Sequence, residues 1–213
     1  MKKLLWVIIV ILAILVGSIP IIYLAYGVSE GYLSLKKPEV LRSIAWKIFL
    51  YIHMISGGMA ILIGWIQFSK KLLQKRPAWH RTIGKTYLVS ALLCAISGFY
   101  VGIFATGGWI PSAGFITVSC IYFYTSWMGF VHIKNKQIIK HQNMMTYSYA
   151  VCLAAVSLRL STPIAYLLGF DYISSYSVIA WSAWIPNLLI AYWVNKNREA
   201  AVAIQQSSVP QLP

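Results

Sequence analysis

The sequence predicts an all-α membrane protein, a bundle of six transmembrane helices with both termini in the cytoplasm. Of its 213 residues, 59% are hydrophobic and 10% are charged, whereas about a quarter of the residues of a soluble domain are charged. Six apolar runs approach or exceed the ~20 residues that a helix needs to cross a bilayer. Lys and Arg concentrate in alternate loops between these runs, which is the distribution that orients membrane helices.

The six runs define the predicted spans. The first run follows two lysines, as in a signal peptide, but it continues past Pro20 without a small-residue cleavage site, so we expect an uncleaved helix that Pro20 kinks. The spans form one domain, residues 1–199. The polar, proline-ended segment 200–213 is predicted to be a disordered cytoplasmic tail. The predicted spans are residues 4–26, 44–68, 84–105, 113–133, 142–169 and 174–194.

The net charge of +14 would also suit a nucleic-acid-binding protein. Its placement argues against that function, because the basic residues lie in short loops between apolar runs, where they set topology and attract anionic membrane lipid. We therefore expect membrane lipid, and no nucleic acid, as a partner. The predicted cytoplasmic side receives the Lys/Arg positions 2, 3, 70, 71, 75, 76, 81, 85, 134, 136, 140, 196 and 198, and the other side receives 36, 37 and 42.

The fifth span carries a polar stripe across the membrane. At 100° per residue, His141, Ser148 and Arg159 fall on one helical face. At 1.5 Å per residue, His141 and Arg159 lie ~27 Å apart along the axis, which is close to the thickness of the hydrocarbon core. An arginine at that depth costs at least a few kcal/mol in lipid, so we expect Arg159 to face the bundle interior.

The four histidines fall into two layers around this stripe. His80 and His141, joined by His132, lie at the cytoplasmic ends of their spans and form an inner layer. His53 lies ~22 Å from the cytoplasmic boundary, at a depth similar to that of Arg159, and these two form an outer layer. Small residues beside the histidines leave room for a flat cofactor, although such stripes also serve as helix-packing surfaces.

Three cofactors suit these layers. Two imidazoles from different helices ligate haem b, so His80 and His141 are candidate axial ligands, with Arg81 close enough to meet a propionate. A quinone headgroup is an alternative ligand for His53 and Arg159, and Arg159 also suits a propionate. Zinc or copper held by His80, His132 and His141 is a third possibility. A haem or quinone function implies electron transfer with a membrane redox partner, or within a homo-oligomer.

A non-redox function also fits these residues. The layers suit a small transporter that moves protons or solutes, and they suit a partner subunit in which they only set the packing. The sequence contains no nucleophile–base arrangement, phosphate loop or carboxylate pair, which argues against a hydrolase or kinase. Whether the protein is an enzyme stays open at this point.

Three blocks in order resemble a widespread bacterial family of multi-pass membrane proteins of unknown function. They are His53 with the following GG and GWIQF, then WHRTIGKTY at 79–87, and HQNMM with SLRL between 141 and 160. The resemblance implies a bacterial cytoplasmic membrane protein. Thr146 departs from the family pattern, in which an arginine is usual at this position. Architecturally, the chain is also similar to the six-helix cytochrome b561 group, which places haem-ligating histidines on four central helices.

Overall fold

The computed structural model describes residues 2–26 and 36–207, and this part of the chain contains ten α-helices and no strand. A short 3₁₀ helix, Trp65–Phe68, extends the third of them. The helices are α1 Lys2–Tyr26, α2 Pro38–Arg42, α3 Ile44–Gly64, α4 Lys70–Lys75, α5 Pro77–Ile103, α6 Trp109–Lys134, α7 Ile138–Cys152, α8 Ala154–Leu167, α9 Tyr172–Ser182 and α10 Ile185–Ser207.

The prediction of six membrane spans is confirmed. Within the described residues, six helical segments are long and apolar enough to cross a bilayer. The fifth joins α7 to α8, and the sixth joins α9 to α10. The orientation of the termini stays a prediction. The six segments are Trp6–Tyr23, Ile44–Phe68, Pro77–Ile103, Trp109–Lys134, Ile138–Leu167 and Ile173–Gln205.

Consecutive spans pack as neighbours. Helix α3 packs on α5, α5 on α6 and α6 on α7, while α1 covers α3. Helix α10 packs against α7, whereas α9 contacts both α6 and α8, and α1 also reaches α8. We call the end of the bundle that carries α4 and the α6–α7 turn the basic end. Residues 36–43 and the α5–α6 turn lie at the opposite end.

Polar caps set several helix starts. The Ser43 hydroxyl accepts a hydrogen bond from the Trp46 amide at 3.3 Å at the start of α3. The Asp171 carboxylate accepts one from the Ser174 amide at 3.0 Å at the start of α9. Each cap satisfies an amide that has no partner within its helix. Helix α5 begins at Pro77, where a missing amide hydrogen costs nothing.

The fifth and sixth spans are each divided into two helices, which the sequence analysis did not predict. The fifth is interrupted at Leu153 and the sixth at residues 183–184. Pro186 accounts for the second interruption, because it has no amide hydrogen and disfavours helix at the residue before it. Asn187 serves both interruptions, since its amide donates to the carbonyls of Ala150 at 3.3 Å and of Ala183 at 3.2 Å.

Two further differences concern segments outside the spans. Residues 38–42 form the short helix α2. Helix α10 continues to Ser207, so it includes the first eight residues of the segment that we expected to be a disordered tail. The remaining residues, 208–213, lie outside the described part of the chain.

Close backbone contact holds the first two spans together. A Cβ atom added at Gly58 would lie 2.8 Å from the carbonyl oxygen of Gly17, and one added at Gly17 would lie 2.6 Å from Cγ of Leu62. Both distances are shorter than those that real Cβ atoms make, so α1 and α3 can pack this closely only with glycine at both positions. Small residues at this crossing act as a packing surface.

We expect Gly58→Ala to destabilise the bundle by about 1–3 kcal/mol, because the new methyl group meets rigid backbone and overpacks the crossing. Thermal unfolding in nanodiscs measures the change. Met59→Ala is the matched control, since Met59 is 44% exposed on the lipid-facing side of the same helix; it should stay within about 0.5 kcal/mol of the parent protein. Equal unfolding temperatures for Gly58→Ala and the parent protein would contradict this packing.

Candidate functional site

A cavity of about 380 Å³ lies inside the bundle, in the half away from the basic end. Helices α1, α3, α5, α6, α8 and α9 all contribute to its wall, with Val151 and Cys152 from the end of α7. Most of the wall is apolar and includes Leu50, Phe115 and Leu158. Small-molecule sites have volumes of about 300–1,000 Å³ and mostly apolar walls, so the cavity is large enough for a compact ligand.

His53 lies on this wall with its ring orientation fixed. Its Nδ1 atom donates a hydrogen bond to the carbonyl of Cys94 at 2.9 Å. The ring lies against Gly98, where an added Cβ would be 2.8 Å from both Nδ1 and Cε1, so only glycine leaves room for it. Because Nδ1 carries the proton, the lone pair of Nε2 is left to accept a proton or a ligand.

Arg159 lies on the same wall. One of its guanidinium nitrogens donates to the carbonyl of Ala155 at 3.4 Å. The phenols of Tyr23 and Tyr176 interact with it electrostatically, and its charge acts on His53. No acidic side chain lines the cavity within the described part of the chain. The structure therefore brings His53 and Arg159 to one internal surface and leaves the positive charge of Arg159 without a carboxylate.

Lys36 supplies a second positive charge to the cavity, from the segment before α2. Its ammonium donates to the carbonyl of Phe104 and lies 5.9 Å from the centre of the Trp46 ring. Burial lowers the pKa of Lys36 from its usual 10.5 to about 8, because desolvation disfavours the charged form. Lys36 thus carries its charge at neutral pH and loses it as the pH rises through 8.

Two buried donors on the cavity wall have no acceptor within 3.5 Å among the described residues, the Tyr122 hydroxyl having only longer interactions with Tyr87 and Cys152. They are the indole N–H of Trp46 and the hydroxyl of Tyr122. Trp46 is fully buried and Tyr122 is 5% exposed. Buried polar groups are normally satisfied, so such exceptions in a cavity wall indicate where a bound molecule or water would supply acceptors.

A cluster of hydroxyl groups lies between this cavity and the basic end. Ser148 bonds at 2.8 Å to both the Tyr87 and the Ser126 hydroxyl, joining α5, α6 and α7. The next turn toward the basic end is tightly closed, because an added Cβ at Gly129 would lie 2.6 Å from the sulfur of Met145. We call the Gly129–Met145 contact the thioether plug.

Each histidine at the basic end has a different hydrogen-bond partner. The Nδ1 atom of His141 donates to the carbonyl of Gly129 at 2.7 Å, and that of His132 donates to the side chain of Gln137 at 2.7 Å. His80 interacts electrostatically with His141. In the orientation that satisfies its amide, Gln67 donates to Nδ1 of His80 at 3.3 Å. His80 therefore carries its proton on Nε2, opposite to the other histidines.

Neither His80 nor His141 lines the cavity, so the two predicted layers are structurally distinct. Arg81 is exposed at the start of α5. Within residues 2–26 and 36–207, no three His, Cys, Asp or Glu side chains are grouped as metal ligands. This conformation does not assemble His80, His132 and His141 into the zinc or copper site considered above, and that site stays a prediction.

An arginine does reach Thr146, but it comes from the sixth span. The guanidinium of Arg198 donates to the Thr146 hydroxyl at 3.1 Å, to the side-chain oxygen of Asn143 at 2.7 Å and to that of Asn195 at 2.8 Å. Helix α10 thereby brings a positive charge to the position where the resemblance led us to expect an arginine on α7.

Sequence reasoning missed Lys36, Trp46 and Tyr122 as cavity residues. Lys36 belongs to a loop, and helical periodicity cannot predict where a loop contacts the bundle. Trp46 and Tyr122 are two among 9 Trp and 14 Tyr, and aromatic residues in spans usually indicate packing or the membrane interface. The available signal was helical spacing, since Trp46 precedes His53 by about two helical turns and so falls on the same face of its span.

We expect Lys36 to titrate with a midpoint of about pH 8 in the folded protein, because burial disfavours its charged form. Reductive ¹³C-methylation of the lysines followed by NMR across pH 6–11 measures the midpoint. The Lys36 signal is assigned by its absence from Lys36→Arg. A midpoint at the usual 10.5 would show that the ammonium is solvated and not part of the cavity.

Comparison with known proteins identifies a family. Residues 50–194 match the family described as "Predicted membrane protein (DUF2306)". No curated protein and no solved structure matches the chain, and the similarity to cytochrome b561 is not supported by these comparisons. The match covers more than half of the chain and includes His53, Tyr122 and Arg159, so the protein belongs to this family of membrane proteins of unknown function.

Proposed function

We propose that the protein binds a quinone in the cavity, with the headgroup between His53 and Arg159. One observation supports this proposal above all: an imidazole and a guanidinium share one mostly apolar cavity of about 380 Å³ within the membrane-spanning helices. Sites for small ligands combine apolar walls with a few convergent polar groups in this way. Quinones are lipid-soluble, so the ligand would reach the cavity through the bilayer.

Each polar residue has a definite role in this proposal. Arg159 donates a hydrogen bond to a quinone carbonyl, and a bond from a charged donor is stronger than one between neutral groups. His53, held by Cys94, offers the lone pair of Nε2 to a quinol hydroxyl. The quinone ring packs against apolar side chains such as Leu50 and Phe115. The protein would then exchange electrons with a membrane redox partner, in a bacterial cytoplasmic membrane with the basic end inside.

A haem b bound at His80 and His141 is a second candidate. The observation in its favour is that Nδ1 of His141 is anchored to a backbone carbonyl, as is usual for metal-ligating histidines. Against it, His80 would have to move its proton from Nε2 and give up the bond from Gln67. The cavity therefore supports the quinone better than the basic-end histidines support haem.

For the quinone, we expect saturable, one-to-one binding of 2-methyl-1,4-naphthoquinone to the protein in nanodiscs. Quenching of tryptophan fluorescence is a suitable measurement, because Trp46 lines the cavity. Losing a hydrogen bond from a charged donor costs about 1.5–3 kcal/mol, so Arg159→Gln should raise Kd by at least about tenfold. His53→Gln should also weaken binding.

Arg76→Gln is the matched control, since Arg76 is exposed at the basic end, and it should leave Kd unchanged. Quenching that does not saturate, or equal affinity in Arg159→Gln and Arg76→Gln, would contradict the proposal. Either result would favour the non-redox alternative, a transporter or partner subunit in which the polar layers are structural.

For the second candidate, a visible spectrum of the protein purified after haem-supplemented expression is the test. A bound haem b gives a Soret band that should disappear in both His80→Ala and His141→Ala, because each removes one axial ligand. His132→Ala should retain the band. A colourless protein that still binds the naphthoquinone rules out haem and leaves the cavity as the functional site.

A further inference from the structure

The polar side chains of the cavity are mostly hydrogen-bond donors. Besides the ammonium of Lys36 and the guanidinium of Arg159, the wall carries the indole N–H of Trp46 and the hydroxyl of Tyr122. Two other hydroxyls on the wall donate to carbonyls of their own helices, Ser119 at 2.8 Å and Thr162 at 2.8 Å. Among the described side chains of the wall, the acceptors are Nε2 of His53, hydroxyl oxygens and sulfur atoms, which accept only weakly.

The charges on the wall also favour a ligand that accepts hydrogen bonds. Lys36 and Arg159 are both positive at neutral pH, and no carboxylate among the described residues lines the cavity. A neutral ligand would leave both charges uncompensated in a region that contains little polar surface. An ion that is desolvated without a counter-charge is unfavourable, so a negatively charged ligand improves the electrostatics of the whole cavity.

Trp46 and Tyr122 add an independent reason. Both are almost completely buried, so each depends on whatever fills the cavity for an acceptor. An oxygen-rich anion supplies several acceptor lone pairs at once, whereas a neutral quinone has only its two carbonyls. Hydrogen bonds to an ionised acceptor are also shorter and stronger than those to a neutral one.

From this surplus of donors and positive charge we propose that the cavity selects an anionic headgroup, so that an ionised quinone binds more tightly than its neutral counterpart. The inference rests on the proposed quinone site and specifies its ligand. In this proposal Arg159 contacts the negative charge of the ligand from α8. Lys36 contacts it from the segment before α2, at the end of the bundle opposite to the basic end. Trp46 and Tyr122 add two neutral donors on the same wall.

A matched pair of probes tests this preference. In 2-hydroxy-1,4-naphthoquinone the hydroxyl is ionised at neutral pH, whereas 2-methyl-1,4-naphthoquinone has nearly the same shape and no charge. We expect the ionised probe to bind the protein in nanodiscs at least tenfold more tightly at pH 7. Lys36→Gln and Arg159→Gln should each remove most of this preference. Lys36→Arg should keep it, and so should Lys37→Gln, since Lys37 is exposed beside the site.

The possible outcomes separate the two proposals. If both probes bind with equal affinity, the anion preference is overturned and the quinone site remains. If neither probe binds saturably, the quinone site itself is overturned. Oleate serves as a third probe: if it displaces the ionised naphthoquinone with comparable affinity, the site recognises an acidic lipid headgroup rather than a quinone ring. Equal loss of affinity in Lys37→Gln and Lys36→Gln would show that surface charge, not the cavity, attracts the anion.

Discussion

A guanidinium inside a membrane span has to be kept away from lipid, and this constraint shapes the half of the bundle away from the basic end. Arg159 would cost at least a few kcal/mol against acyl chains. Helix α8 packs against α1 and α9, and Arg159 lies on the wall of the cavity that these helices help to enclose. The inward orientation of Arg159 places its charge on the same wall as the His53 imidazole and the Lys36 ammonium.

The six spans could be predicted from composition alone, because an apolar run of sufficient length has few other stable outcomes in a bilayer. The interruptions could not be predicted as readily. Pro186 was a visible signal for the one in the sixth span, whereas nothing in the sequence around Leu153 resembles a helix break. Only the tertiary contact from Asn187 to the Ala150 carbonyl shows how the first interruption is satisfied.

The sequence predicts which site residues lie at the same depth in the membrane. Counting residues placed His53 and Arg159 in one layer, and the structure brings them to one cavity. The hydrogen-bond partners of the histidines could not be predicted in this way. The opposite tautomers of His80 and His141 depend on Gln67 and on the Gly129 carbonyl, and such partners follow from helix rotation and approach, which no periodicity specifies. The contact of Arg198 with Thr146 likewise joins residues that only the fold brings together.

The thioether plug changes the meaning of the polar stripe on the fifth span. In the sequence, His141, Ser148 and Arg159 form one polar stripe on a single helical face. In the structure, the sulfur of Met145 fills the space beside Gly129, between the hydroxyl cluster and the basic-end histidines. The consequence is that the polar groups at the two depths are not joined into one continuous line through this contact, because an apolar thioether lies between them.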